Sequence, residues 1–151
     1  MKLKLVFFSV IFLLITGVGT AQNRTGAPKS IINKDVAISK YHDLKELEDM
    51  QKGKLLELYT ERMEIIIKLL PSIAFGIKPG ITMSSFGIPD SKENRSALED
   101  HHEATASFFA NTIAFQSRIL PYSDKANLIA AILFYEQVLK SLHIYGQENK
   151  F

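Results

Sequence analysis

Apolar residues recur every three or four positions between Lys40 and Pro71, with acids and lysines between them. This spacing puts the apolar side chains on one face, so it predicts a single long amphipathic helix over residues 40–71. Such a helix would be about 45 Å long. Gly53 costs it about 1 kcal/mol relative to alanine and is the expected position of any bend. The recurring apolar residues are Tyr41, Leu44, Leu47, Leu55, Leu58, Ile65, Ile66 and Leu69.

A second helix is predicted from Asp90 to Leu120. An acid at position 90 with Glu93 three residues later is typical of a helix start, and Pro121 stops the helix. Two neighbouring stripes of this helix are apolar or small, and we expect them to form one broad buried face. The first stripe comprises Leu98, His101, Thr105, Phe108, Thr112, Phe115 and Ile119, and the second His102, Ala106, Phe109, Ile113 and Leu120.

A third helix is predicted from Ser123 or Asp124 to about Gly146, with an inner stripe of leucine, isoleucine and tyrosine. Because the turn at Pro121-Tyr122 is short, the second and third helices are expected to lie antiparallel. The predicted fold is all-α: an antiparallel up-down bundle of three long helices over residues 40–146. A short fourth helix is expected from residues 31–39 or 71–76.

The segments around this bundle are assigned by their weaker patterns. Residues 22–39 mix polar, glycine and proline positions without a period, which predicts a mobile leader whose isoleucine pairs could still dock. Residues 147–151 form a C-terminal tail.

The connection between the first two helices, residues 72–89, is long and unusually apolar. Bundle connections usually span two to eight residues, and longer ones tend to cap the core or to bind something. Two interpretations therefore stay open: a lid over the end of the bundle, or a partner-binding loop. The candidate partner-binding residues are Phe75, Ile77, Ile81, Met83, Phe86 and Ile88.

Residues 1–21 have the pattern of an export signal. Lys2 and Lys4 precede an apolar run, and small residues lead to Ala21, so cleavage is expected before Gln22. The alternative is an uncleaved anchor, but the apolar stretch of 16 residues at 3–18 is short for a bilayer, which needs about 20. No later segment is expected to span a membrane. We therefore expect a protein of the periplasm or one that is secreted.

Charge and cysteine content remove several classes of function. The chain has 18 Lys and Arg against 16 Asp and Glu, and Lys2 and Lys4 are the excess, so the chain from Gln22 onward is formally neutral. It has no run of basic residues, which argues against nucleic-acid binding. The absence of cysteine removes disulfides, thiolate nucleophiles, lipid attachment through cysteine and cysteine-based zinc sites.

The most suggestive polar cluster lies at residues 99–103. Glu99 and His102 have the Glu-x-x-His spacing of carboxylate-bridged metal sites in bundles, but the chain has no second copy of it. His101 and His143 lie about equally far from the turn at Pro121 and could sit level on adjacent helices. The candidate metal ligands are Glu61, Glu99, His101, His102 and His143. The competing interpretation is that His101 is a buried, hydrogen-bonded residue and that His102 pairs with acids at the surface.

The sequence contains no nucleophile elbow and no phosphate-binding glycine loop, so no catalytic residue and no organic cofactor are predicted. The leading hypothesis is a non-enzymatic accessory protein of the bacterial envelope. It would bind a protein partner through the 72–89 loop or through a helix face. The alternatives are a bundle that binds a small ligand or metal near His101 and His143, and a small hydrolase or hydrolase inhibitor.

Overall fold

The computed structural model describes residues 28–34 and 36–148. It is mostly helical (74 %), and its described part contains four α-helices and no strand. The helices are α1 (Leu44–Asp49), α2 (Lys52–Leu69), α3 (Lys92–Ile119) and α4 (Lys125–Glu148). The prediction of an all-α fold is confirmed. The export signal at residues 1–21 lies outside the described residues.

The helix predicted over residues 40–71 is broken, so the prediction of one continuous helix is wrong. Asp43 caps α1 by accepting a hydrogen bond from the Glu46 amide, and the Glu46 side chain accepts one from the Asp43 amide. Met50 and Gln51 then adopt extended backbone, and α2 begins at Lys52. Gly53 lies inside α2 and is not the bend. The break allows α1 to pack on α4 while α2 packs on both α3 and α4.

Three short 3-10 helices complete the described helical structure, at Leu70–Phe75, Met83–Phe86 and Leu120–Tyr122. The first corresponds to the short fourth helix expected at residues 71–76, whereas the described residues of 31–39 form no helix. The cap of α3 lies one residue later than predicted, because the Ser91 hydroxyl accepts the bond from the Asn94 amide.

The core consists of two adjoining clusters. The first lies between α1, α2 and α4, and its fully buried members include Leu47, Leu55 and Ile132. The second lies nearer the end of α2 and contains Leu69, Leu98 and Leu139 together with residues that precede α1. Burial of these side chains is the main favourable free-energy term for folding. The chain has no cysteine, so no disulfide adds to it.

The leader expected to be mobile is packed over its described part, so that expectation needs correction there. Ile31, Ile32 and Val36 are buried in the second cluster. The Ile31 amide donates to the Ile81 carbonyl at 2.7 Å, and the Gly80 amide donates to the Ile32 carbonyl at 2.8 Å. The isoleucine pair therefore docks against the connection between α2 and α3.

Two lysines connect the break between α1 and α2 to the turn between α3 and α4. Lys52 Nζ donates to the Pro121 carbonyl at 2.7 Å, and Lys125 Nζ donates to the Glu48 carbonyl. The start of α2, the end of α3 and the start of α4 therefore lie at one end of the molecule.

Candidate functional site: an exposed aromatic face on α3

The five candidate metal ligands do not form one site, although Glu99, His101 and His102 line the same groove beside α3. Glu99 Oε1 is 2.9 Å from Lys29 Nζ, and Glu61 Oε1 is 2.8 Å from Arg62 Nη1. His143 is exposed and accepts a hydrogen bond from the Gln147 side-chain amide at 2.9 Å. Among residues 28–34 and 36–148, no three His, Asp or Glu side chains cluster in a way that could hold a metal ion. Metal binding by these residues remains a hypothesis from sequence.

Of the two adjacent histidines, His102 is the more buried and hydrogen-bonded one, whereas His101 was expected to be. His101 is exposed, whereas His102 is half-buried and its Nε2 donates to the Ile31 carbonyl at 3.0 Å. Both line a groove of about 640 Å³ between α3 and the segment that precedes α1. His102 therefore helps to hold that segment against α3, and the expectation of a buried His101 is wrong.

A buried ionic cluster joins α2, α4 and the chain before α1, and the sequence analysis did not find it. Arg62 and Glu136 are each only 1 % exposed. Arg62 Nε and Nη2 both donate to Glu136 Oε1, at 3.1 and 3.0 Å. The His42 amide donates to Glu136 Oε2 at 2.6 Å, and His42 Nδ1 lies 3.0 Å from Oε1. Arg62 Nη2 also donates to the Lys40 carbonyl at 2.6 Å, so the cluster anchors residues 40–42.

The charges in this cluster are compensated, as burial requires. Burial alone raises the pKa of Glu136, but hydrogen bonds from His42 and Arg62 outweigh it and hold that pKa below its ordinary value. Glu61 Oε1 forms an ion pair with Arg62 Nη1, but the two groups are not aligned for a hydrogen bond. A His-carboxylate dyad can activate a nucleophile. The side chains that contact His42 Nδ1, however, are those of Glu136 and Arg62, and neither is a nucleophile of that kind. The geometry therefore favours a structural role for the cluster.

A sequence signal for this cluster does exist. Arg62 stands in phase with the apolar residues of α2, three residues before Ile65 and four after Leu58. Glu136 stands in the same phase on α4, between Ile132 and Leu139. A base in one apolar stripe and an acid in another indicate a buried ion pair, because a charged side chain in a core needs a partner.

The apolar connection at residues 72–89 divides into an inner and an outer set of side chains. Ile77, Ile81 and Met83 pack against the second core cluster. Phe75 and Phe86 are 42 % and 43 % exposed, and their rings meet edge to face with centroids 6.0 Å apart. The connection thus covers part of the core and also presents an aromatic pair to solvent; Ile88, the sixth candidate, is half-buried.

The first predicted stripe of α3 is largely exposed, so the prediction of a broad buried face is wrong for its central part. Phe108 is 60 % exposed, Phe115 64 % and Ile119 48 %, while Tyr122 just beyond the helix is 88 % exposed. Leu98 is the buried member of this stripe. The second stripe carries most of the packing instead: His102, Phe109, Ile113 and Leu120 are half-buried.

The position of α3 explains which stripe is covered. Ile113, Gln116 and Leu120 line a groove of about 470 Å³ between α3 and α2. In the described part of the chain, α3 packs on α2 but makes few close backbone contacts with α4. The flank that bears Phe108 and Phe115 is therefore left without a neighbouring helix to bury it.

This flank also lacks charge. From Ala104 to Ser117 no residue of α3 is charged, and Arg118 is the next charged position. The exposed face of a surface helix normally carries charged and polar residues. We call the surface formed by Phe108, Phe115, Ile119 and Tyr122 the aromatic face of α3. A contiguous exposed apolar surface of this kind is typical of an interaction site.

The α4 helix is also long and apolar. By length and composition Lys125–Glu148 could cross a membrane, although the core helix of a soluble protein can have the same length and composition. It carries the buried Glu136 opposite Arg62. Length and hydropathy alone therefore do not support the expectation that no segment after residue 21 spans a membrane.

Comparison of the chain with protein-family models, with curated proteins and with solved structures finds no match in any of the three.

Proposed function

We propose that this protein is a non-enzymatic accessory protein that binds a helical protein partner through the aromatic face of α3. The observation that carries the proposal is the exposure of Phe108, Phe115 and Ile119 on one uncharged flank of a long helix. Fully burying such a side chain is worth about 1.5–3 kcal/mol, and these three are 48–64 % exposed, so their contact with water forgoes roughly half of that value for each. A helix laid along this flank would recover part of that free energy.

We infer an up-down bundle for α2, α3 and α4. The proposal is supported by the lysine contacts that bring the end of α1 and the start of α2 to the turn between α3 and α4. At the opposite end, Leu98 near the start of α3 packs in one cluster with Leu69 at the end of α2. In this arrangement the gap beside α3 has the place of a further helix, which suits a helical partner.

We also propose that the protein works outside the cytoplasm, in the periplasm or as a secreted protein. The support is the sequence of residues 1–21 and the lack of cysteine, which leaves the fold independent of the redox state of its compartment. The partner would then also be an envelope or secreted protein, a second copy of this chain included.

The helix face is a better candidate than the 72–89 connection. Three of the six candidate residues in that connection pack against the core, which leaves mainly Phe75 and Phe86 for a partner. The aromatic face is larger, and its residues are more exposed. We assign the aromatic pair a secondary role at most.

A comparison of three single variants tests the proposal. The full chain with a C-terminal tag is expressed in its own host beside the untagged chain, cross-linked and recovered from the envelope fraction. Mass spectrometry then identifies the captured proteins, and the missing tag distinguishes a captured copy of the chain itself. Phe115→Asp should abolish capture of a stoichiometric partner, while helicity measured by circular dichroism stays unchanged. Ile144→Asp, at a residue of similar exposure on α4, is the matched control and should capture normally.

Phe86→Asp separates the two surfaces. If it abolishes capture with helicity retained while Phe115→Asp does not, the partner binds the connection and the helix-face proposal is wrong. The captured partner must also bind the purified protein directly, and the Phe115→Asp variant must fail to do so.

A further inference from the structure

We infer that the partner on the aromatic face is a second copy of this chain, bound with the two α3 helices antiparallel about a two-fold axis. This inference rests on the proposed function and names the partner of the same face. It comes from the spacing, the charge and the area of that face.

The spacing of the aromatic residues suits a symmetric pair. Phe108 and Phe115 are seven residues apart, which is close to two helical turns, so they lie within about 20° of each other around the axis. An antiparallel copy centred between Asn111 and Thr112 places Phe108 of one chain level with Phe115 of the other. A two-fold axis makes that contact twice, and the two aromatic pairs can meet in offset or edge-to-face geometry.

The charge distribution favours association between like chains. The segment 104–117 that would face its own copy has no charged residue, so the pairing brings no like charges together at its centre. Beyond residue 21 the chain is formally neutral, and net repulsion between copies is therefore absent. Ala104 and Asn111, exposed on the same flank, are small enough to let two helices approach.

The exposed area of the face supplies more than half of what a stable dimer needs on each partner. An aromatic side chain buries about 150–250 Å², so the exposed parts of Phe108, Phe115, Tyr122 and Ile119 together offer about 500 Å² per copy. A standard stable interface buries about 800 Å² on each partner. The small exposed residues between the aromatic side chains would supply the remainder.

A lipid surface is the main competing occupant, and the sequence around the face argues against it. Helices that lie on membranes carry many Lys and Arg residues beside the apolar face. Over residues 104–119 the only cation is Arg118, and the acids Glu99, Asp100 and Glu103 precede it on the same helix. An anionic lipid surface would repel that end of α3.

Sedimentation equilibrium of the purified full chain tests the inference. The wild type and the Ile144→Asp control should have twice the mass of one chain at micromolar concentration. Phe115→Asp and Phe108→Ser should each shift the mass to that of one chain, with the circular dichroism spectrum unchanged. Two variants are used so that a folding defect in one does not decide the result. A wild type with the mass of one chain throughout, or dimers that persist in both variants, would overturn the inference.

The register is tested by cysteine cross-linking, which is clean because the chain has no cysteine of its own. Asn111→Cys stands next to the proposed axis and should form a disulfide-linked dimer under mild oxidation. Ser96→Cys is equally exposed on α3 but would lie about 45 Å from its counterpart along the helix axis, so it should remain free. Equal cross-linking of both variants would contradict the antiparallel register.

The failures of the two proposals can be told apart. A monomeric wild type that captures another protein, with capture lost in Phe115→Asp, would leave the proposed function standing and refute the dimer. A monomer that captures nothing would refute both. A monomer that floats with phosphatidylglycerol vesicles through Phe115 would assign the face to lipid and also refute the dimer.

Discussion

Arg62 and Glu136, 74 positions apart in the sequence, meet inside the core with two arginine nitrogens on one carboxylate oxygen at 3.1 and 3.0 Å. Each belongs to an otherwise apolar stripe, one on α2 and the other on α4. Taking two charges out of water is costly, and their mutual attraction and hydrogen bonds must offset that cost. The pair therefore couples the packing of α2 on α4 to the position of residues 40–42.

Removing one partner of this pair should destabilise the protein strongly. Glu136→Gln leaves the Arg62 charge buried with only the neighbouring Glu61 to compensate it, and we expect a loss of about 3–5 kcal/mol in the free energy of unfolding. Urea unfolding followed by circular dichroism at pH 7 measures the loss, with the exposed Glu148→Gln as control. A loss below about 1 kcal/mol would contradict a buried ion pair, since exposed pairs contribute that little. The double variant that combines Arg62→Met with Glu136→Leu removes both charges and should recover much of the loss.

The same pair makes stability depend on pH. The folded-state pKa of Glu136 is lowered, so the ionised form contributes stability that is fully present above the ordinary glutamate value of 4.5. That contribution is lost as the pH falls through the lowered folded-state pKa. The difference in unfolding free energy between wild type and Glu136→Gln should therefore be constant from pH 7 to about pH 5 and shrink below pH 4. A difference that stays constant down to pH 3 would show that Glu136 does not titrate in this way.

The sequence was sufficient for the parts of the fold that depend on local chemistry. Proline at position 121 and the capping residues near Ser91 bound α3 within one residue of the predicted limits. Periodicity located the long helices, but it did not locate the break at Met50, where α1 and α2 pack on different neighbours. Gly53 is the residue that local propensity singles out, yet tertiary packing places the break three residues earlier.

The candidate site was harder to predict. Periodicity shows which residues share a face of a helix, but not which face a neighbouring helix covers. The stripe through Phe108 and Phe115 and the stripe through Phe109 and Ile113 have similar spacing. Which of them is covered depends on where α2 and α4 lie, and that is set by contacts far apart in the sequence. The pairing of Arg62 with Glu136 is hidden for a related reason, because the two charges belong to different helices and meet only in the folded chain.

A close contact between Ile77 and Gly146 provides a test of how the connection covers the core. A methyl group added at Gly146 would overlap the Ile77 side chain. Gly146→Ala should therefore cost about 1–3 kcal/mol, despite the better helix propensity of alanine. The double variant with Ile77→Ala should be more stable than the sum of the two single effects, which a double-mutant cycle by urea unfolding measures. Strict additivity would mean that the connection does not rest on α4 at this position.

Gly53 gives the opposite prediction, because a methyl group there meets no atom within 4 Å. It lies in α2 with ordinary helical backbone, so Gly53→Ala should reduce only the conformational freedom of the unfolded chain. We expect a gain of about 0.4–1 kcal/mol and a higher melting temperature by circular dichroism. A loss of stability would indicate that the start of α2 needs the freedom of glycine.

The paired hydrogen bonds of Ile31 and Gly80 join two segments that are far apart along the chain, the residues before α1 and the connection after α2. Neither segment can leave the core without exposing amides or carbonyls of the other. They should therefore open together as one cooperative unit, and the amide protons of Ile31 and Gly80 should exchange with solvent at closely similar protection free energies. The two segments that cover this end of the molecule would then open together or stay closed together.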